Sequence, residues 1–191
     1  SVPDSFSSTV YRMKQMNHEI VYLKIPYSKV KLVREYEALE ILSDALPVPT
    51  LLGYWEGNDE LPGALLLSEM KGRPVAGKVD KILAYDIGVH HAKLHTVSPK
   101  ENHSYKGITN VYEQWSTFAE THFYGFAEDV KEVIPEDLLR QSIDLFEKQR
   151  KCLPNPDGPS FIHMDFRPAN IIIHENQVSG IIDFESARFG A

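Results

Sequence analysis

His163, Asp165, Arg167 and Asn170 fall within eight consecutive positions, and Asp183 follows thirteen residues after the last of them. Apolar runs flank this stretch, with Phe161-Ile162 before it and Ile171-Ile172-Ile173 after it. Pro168 lies between Asp165 and Asn170; proline removes a backbone donor and pushes its predecessor out of helical space, so a shaped loop is expected here. Its polar side chains are then free to converge. A hairpin turn centred on Asn176-Gln177 would set Glu175 opposite Val178, Ile173 opposite Gly180 and Asn170 opposite Asp183. Directly opposed side chains in such a ladder have Cβ atoms about 4.5–5.5 Å apart. A carboxylate and an amide oxygen at that spacing suit a hard cation such as magnesium, whose remaining ligands, waters and phosphate oxygens, stand about 2.0–2.1 Å away.

The elements that position this loop begin near the N-terminus. Val10–Met16 and Ile20–Ile25 read as two strands joined at Asn17-His18, a pairing that puts Met16 opposite Glu19 and Tyr11 opposite Lys24. The preceding Ser5-Phe-Ser7-Ser8-Thr9 would then enter the sheet beside Lys24, where the hydroxyls and backbone N–H groups of Ser7 and Ser8 could cradle phosphate. A helix follows, capped by Ser28 and stopped near Leu46 by Pro47 and Pro49. At 100° per residue Leu32, Leu39, Leu42 and Leu46 lie within about 60° of Glu35, while Glu37, Glu40 and Asp44 gather on the other side. A carboxylate on the apolar stripe needs a cation, because an unpaired buried charge is too costly. Lys24 is the expected partner. Leu51–Glu56 and Ala64–Met70 read as two further strands around a turn-rich segment.

Beyond residue 70 the pattern turns helical. Val79, Ile82, Leu83, Ile87 and Leu94 keep helix spacing, and Val111, Trp115, Phe118, Phe126 and Val130 form a second stripe with His122 in line. A third helix is expected from Pro135, with Glu136 and Asp137 at its start and Lys148, Arg150 and Lys151 at its end complementing the helix dipole. The loop 154–159 breaks that run. His91 and His95, four apart, have metal-pair spacing but lack the glutamate of a His-Glu-x-x-His order, so a packed helix end is the preferred reading.

The run His163-Met-Asp165-Phe-Arg167-Pro-Ala-Asn170, with Ile181-Ile-Asp183-Phe-Glu185, resembles the catalytic loop and metal-binding Asp motif of kinases. Its form is similar to the aminoglycoside phosphotransferase and choline kinase branch of that superfamily. The resemblance implies an α+β, two-lobed protein-kinase-like fold: an N-lobe over 1–70 with an antiparallel sheet and one helix, and a mostly helical C-lobe over 71–191 that contains the catalytic hairpin. It implies that Asp165 accepts the proton of a substrate hydroxyl, that Asn170 and Asp183 hold magnesium, and that Arg167 stands near the transferred phosphate. Lys24, held by Glu35, would grip the phosphates of ATP or GTP, and the Ser68 carbonyl and Met70 amide would read the purine edge. The family usually has one more strand before the phosphate loop and a helical segment after the metal-binding Asp, so the C-terminal part of the C-lobe is expected to be missing from this chain.

Composition excludes several classes. The 191 residues are 42% hydrophobic and 25% charged, as in an ordinary globular protein. No apolar run reaches the roughly 18 residues of a membrane span, and no basic-then-apolar leader opens the chain. The single Cys152 forms no internal disulfide, which fits a cytoplasmic protein. A net charge of −7 argues against nucleic acid and tolerates a cationic small molecule. The favoured expectation is phosphoryl transfer from a nucleoside triphosphate to a hydroxylated small molecule, first an aminoglycoside-type antibiotic, otherwise a choline-like alcohol, a sugar or another antibiotic. A protein kinase is disfavoured by Met164, by Glu185 in place of the glycine of Asp-Phe-Gly, and by the lack of Ala-Pro-Glu. A nucleotide-binding module without catalysis is the remaining alternative.

Overall fold

The computed structural model describes residues 7–101, 103–152 and 158–190. Its chain divides into two compact units, one formed by 1–109 with 160–189 and the other by 110–159 with 190–191.

In the first unit, β-branched and aromatic residues favour β1 (Ser8–Lys14), β2 (Ile20–Pro26) and β3 (Leu51–Trp55), while β4 (Ala64–Ser68) is a mostly buried leucine run. They form one antiparallel sheet in the order β1-β2-β4-β3. The first hairpin departs from expectation by one residue: Lys14 pairs with Ile20, so Val10 rather than Tyr11 lies opposite Lys24. The cause is a five-residue loop. Gln15 N–H donates to the Glu19 carbonyl, Asn17 Oδ1 accepts from the Glu19 amide, and His18 takes φ 68°. The Asn side chain thus captures the backbone that a two-residue turn would have left to the ladder.

Helix α1 (Lys29–Leu42) buries Leu32, Glu35, Ala38, Leu39 and Leu42, the stripe expected from its periodicity. It ends four residues before Leu46. The Ser43 hydroxyl bonds the Glu40 carbonyl, and both Ala45 and Leu46 turn their amides back to the Leu42 carbonyl. Ser28 occupies the N-cap position without a side-chain capping bond.

The stretch from Ser160 to Gly190 lies on two small sheets. One joins β5 (Arg73–Pro74), β7 (Ile171–His174) and β8 (Gln177–Ile181) in the order β5-β7-β8. The other pairs β6 (Ser160–Ile162) with β9 (Arg188–Gly190). Phe161, Phe184, Phe189, Ile181, Leu65, Leu32 and Leu42 are all fully buried, so one core runs beneath the larger sheet, α1 and the strands of the two small sheets. Helix α2 (Lys81–His95) steadies the β7–β8 hairpin through its acids. Asp80 caps its own helix at Leu83 N–H and accepts from the Asn176 amide, while Asp86 Oδ2 accepts from the buried Val178 N–H at 2.7 Å. Asp86→Ala leaves that donor unsatisfied and should cost about 1–3 kcal/mol. Asp86→Asn keeps an acceptor and should cost less. Urea unfolding reads the difference, and equal midpoints for Asp86→Ala and the parent protein would show that this contact holds nothing.

In the second unit α3 (Trp115–Val130) and α4 (Glu136–Gln149) are joined by the stacked rings of Phe123 and Phe146, 3.9 Å apart, and by Arg150, which pairs with Glu120 and Glu147. The expected stripe on α3 is not a buried face. Phe126 and Val130 are exposed, and Phe123, outside that stripe, makes the contact with α4. Residues 154–157 of the expected proline-rich loop lie outside the described set. Among the described residues no helix is long and apolar enough to cross a membrane.

Candidate active site

Lys24 is the centre of the site. It sits on β2 with only 6% of its surface exposed, and its Nζ lies 2.6 Å from Glu35 Oε2, 2.6 Å from Asp183 Oδ1 and 3.5 Å from Glu185 Oε2. Helix α1 and the segment that follows β8 thus bring three carboxylates to one ammonium. Burial alone would depress the Lys24 pKa, but the charges of Glu35 and Asp183 outweigh it and hold the amine well above its ordinary range. Burial pushes the Glu35 carboxyl up, and Lys24 partly offsets that while Asp183 and Glu185 add to it. Lys24 Nζ and Glu35 Oε2, 2.6 Å apart, form a buried ion pair.

Glu185 behaves differently. Burial would raise its carboxyl, yet it is held below the usual range by the Ser7 hydroxyl and by the charges of Lys24 and Lys31. Lys31 Nζ donates to Oε1 at 2.9 Å, and the Glu185 carbonyl accepts from Arg34 Nη1 at 3.0 Å. Sequence reasoning treated Glu185 only as a departure from Asp-Phe-Gly. A charged residue directly after the apolar Phe184, four positions past β8, was the available signal.

The loop that bears Asp165 leaves β6 with Met164 at φ 65° and closes in a single 3-10 turn over Pro168–Asn170. Asp165 keeps 41% of its side chain exposed, and its Oδ2 accepts from Arg167 Nε at 3.0 Å and from Asn170 Nδ2 at 2.9 Å. Asn170 Nδ2 also donates to the Asp165 carbonyl, so the amide nitrogen is committed to the loop and Oδ1 is the metal-capable atom. Met164 and Asp183, at φ 65° and 71°, both occupy the left-handed region that non-glycine residues rarely take, a conformation concentrated at functional sites.

The hairpin register differs from expectation. Its turn residues are Glu175 and Asn176, both left-handed at φ 51° and 62°, and His174 pairs with Gln177. A two-residue turn needs two such residues, and this pair supplies them where Asn176-Gln177 does not. That choice shifts the ladder by two positions; a bulge between Ile172 and Ile173 recovers one. Asn170 consequently faces Ile182, whose N–H donates to the Asn170 carbonyl, and Asp183 lies one residue beyond.

The outer candidates fall as follows. Ser8 opens β1 and is buried, and the Ser7 hydroxyl bonds the Glu185 carboxylate; Ser5 and Phe6 of the expected cradle lie outside the described residues. Ser68 ends β4 and is tied to Thr50 through both its N–H and its hydroxyl. Met70 packs against Gly180, where a Cβ would lie 2.8 Å from the Met70 side chain. His91 stacks on Phe166 at 4.4 Å and abuts His95. Among the described residues the potential metal-ligating group of three is Glu35, Asp183 and Glu185.

His163 holds the loop from below. It is buried, its Nε2 donates to the Ile182 carbonyl at 3.0 Å, and its Nδ1 accepts from the Asp165 amide. Burial lowers its pKa from the ordinary 6.5, more than the Ile182 bond and the charges of Asp183 and Asp165 raise it. The stability from burying a neutral ring is therefore full above pH 6.5 and lost as pH falls below that value toward the folded pKa. Unfolding free energy should fall on acidification by at most about 1.4 kcal/mol per pH unit from this group. His163→Gln should flatten that part of the slope; an unchanged slope would show that the ring titrates alike in both states.

An antiparallel sheet with one helix, a buried Lys–Glu pair, and Asp165 and Asp183 on the loops that follow β6 and β8 define an α+β, protein-kinase-like fold of the aminoglycoside phosphotransferase branch. A model described as the phosphotransferase enzyme family, APH, matches residues 2–191, and the chain belongs to that family. No curated protein matches it. In fold it is similar to the apoenzyme of macrolide 2'-phosphotransferase MphH from Brachybacterium faecium, with a TM-score of 0.71 and 18% identity over 98% of this chain and 65% of that one. It is also similar to a thermostable mutant of aminoglycoside phosphotransferase APH(4)-Ia in a ternary complex with AMP-PNP and hygromycin B, with a TM-score of 0.73 and 16% identity over 100% of this chain and 67% of that one. A third likeness is to a GDP and kanamycin complex of an APH(2") enzyme, with a TM-score of 0.68 and 17% identity over 98% and 70% of the two chains. The chain thus spans 65% of the MphH chain's length.

Proposed function

We propose that this chain carries the nucleotide-binding and catalytic residues of a magnesium-dependent phosphotransferase that moves the terminal phosphoryl group of ATP or GTP to a hydroxyl of a small molecule, foremost an aminoglycoside-type antibiotic. The observation that carries this reading is the Lys24 ammonium shared at 2.6 Å by Glu35 and Asp183. A buried lysine held by one carboxylate while touching a second, partly exposed one is arranged to meet phosphate oxygens at the mouth of the site. Phosphoryl transfer asks mainly for such positioning and charge.

The roles divide by exposure. Lys24, oriented by Glu35, grips the phosphates. Asp165, the partly exposed carboxylate, accepts the hydroxyl proton as the oxygen attacks, and Asn170 and Arg167 fix that carboxylate's orientation. Asp183 and the side-chain Oδ1 of Asn170 offer hard donors and are the residues that would hold magnesium, whose charge when bound offsets that of the phosphate oxygens. The Ser68 carbonyl and Met70 amide would read the base, and Ser7 and Ser8 would meet the phosphates. The relatives' complexes with AMP-PNP and hygromycin B and with GDP and kanamycin support a nucleotide donor and a cationic acceptor. A cytoplasmic location belongs to this proposal, on the ground of the single cysteine.

The test is nucleotide consumption by the full-length protein with ATP and GTP, against aminoglycosides, macrolides, choline-like alcohols and sugars. Phosphorylated aminoglycoside found by mass spectrometry is the expected result. Magnesium-dependent nucleotide binding with no transfer to any alcohol would leave a binding module in its place.

A further inference from the structure

Helix α1 must keep Glu35 aimed at Lys24. Other residues of the helix fasten it to the rest of the unit. Lys31 and Arg34, three positions apart, reach one residue: Lys31 Nζ bonds the Glu185 carboxylate at 2.9 Å, and Arg34 Nη1 bonds the Glu185 carbonyl at 3.0 Å. Arg34 Nε also bonds the Gly107 carbonyl, and Glu37 accepts the three successive amides of Lys106, Gly107 and Ile108 at 2.6–2.9 Å. Gly107 lies so close that a Cβ there would stand 2.4 Å from the Arg34 nitrogen. Glu185 differs from the other anchors in reaching the chemistry too. The same carboxylate that takes Lys31 stands 3.5 Å from Lys24 Nζ, accepts the Ser7 hydroxyl, and lies two residues from Asp183. It is 6% exposed, too enclosed to meet substrate itself.

We propose that Glu185 is a positioning residue for phosphoryl transfer: it locks α1, through Lys31 and Arg34, to the segment that bears Asp183, and so sets the Lys24 ammonium and the Ser7 hydroxyl for the nucleotide phosphates. This rests on the phosphotransferase reading. Lys24 grips the phosphates alike before and during transfer, so a misplaced Lys24 weakens nucleotide binding more than it slows the chemical step. Glu185→Ala should raise the nucleotide KM about tenfold or more, the size expected for losing a charge-assisted bond, and leave kcat nearly unchanged because the Asp165 loop is not touched. Lys31→Met should act in the same direction, and the double variant should be no worse than Glu185→Ala, since both remove one contact. Glu185→Gln keeps an acceptor for Lys31 and Ser7 and should fall between.

The experiment is steady-state kinetics of the full-length parent and these four variants, with magnesium-nucleotide binding measured separately by equilibrium dialysis. Should Glu185→Ala fail to fold, Glu185→Gln and Lys31→Met carry the same comparison. A parent that turns over while the variants keep its KM, or lose kcat only in proportion to their folded fraction, overturns the positioning role and leaves the phosphotransferase reading intact. Additive effects of the Lys31 and Glu185 changes overturn it as well. A parent that binds no magnesium-nucleotide overturns both.

Discussion

Asp165→Asn is expected to reduce turnover by about 10²–10⁴-fold, the range for losing a positioned general base, while nucleotide affinity stays close to that of the parent. The reason lies in how the carboxylate is held. Arg167 Nε and Asn170 Nδ2 both donate to Oδ2, which fixes the group in one orientation while much of it remains open to an incoming hydroxyl. An amide at this position cannot accept the proton, and Lys24, Glu35 and Asp183 are untouched. Arg167→Ala is the control. It removes a half-exposed ion pair, worth about 0–1 kcal/mol in such settings, and should slow turnover far less. Initial rates at saturating donor and acceptor check both. Turnover by Asp165→Asn within a few-fold of the parent would remove the assigned base.

Lys24→Met should act on stability and activity together. It takes the shared cation from a group of carboxylates whose oxygens lie within 4.8 Å of one another. Breaking a buried ion pair by removing one partner costs about 3–5 kcal/mol, because the other charge stays buried and unpaired. The pH dependence follows with a definite sign. Glu35 is already pushed up by burial, with Lys24 the main influence lowering it. Without that ammonium its folded pKa rises further above the unfolded 4.5, and a raised carboxyl is destabilising above its folded pKa and relieved as pH falls through it. Lys24→Met should therefore gain stability relative to the parent on mild acidification, and adding Glu35→Gln should recover part of the loss at neutral pH. Denaturant titrations of the three proteins at two pH values measure this. Equal stability of Lys24→Met and the parent at pH 7 would show that the lysine does not hold the cluster.

Much of the site was legible because some of its constraints are local. Helical periodicity alone placed Glu35 on the buried face of α1, and the cost of an unpaired buried charge required a cation there. The Asp165-to-Asn170 spacing across Pro168 marked a shaped loop before any coordinates, and Pro135 with its acids marked the start of α4. Periodicity names a face but not its neighbour. Glu37, assigned to the solvent side of α1, spends its carboxylate on three amides seventy residues away, and Glu185 meets Lys24 and Lys31 across more than 150 positions.

The residue types and their local spacing thus determined by themselves which side chains could do chemistry and which elements would carry them. Tertiary structure alone decided the registers and the partners. Two hairpins each landed one residue from the expected pairing at the site, because the backbone conformations of His18, Glu175 and Asn176 set their loops. Asn170 consequently spends its amide nitrogen on Asp165, while Asp183 reaches Lys24 from a left-handed backbone position that strand alternation does not anticipate. Turn conformation is a local choice between close energies, and packing against the rest of the chain settles it.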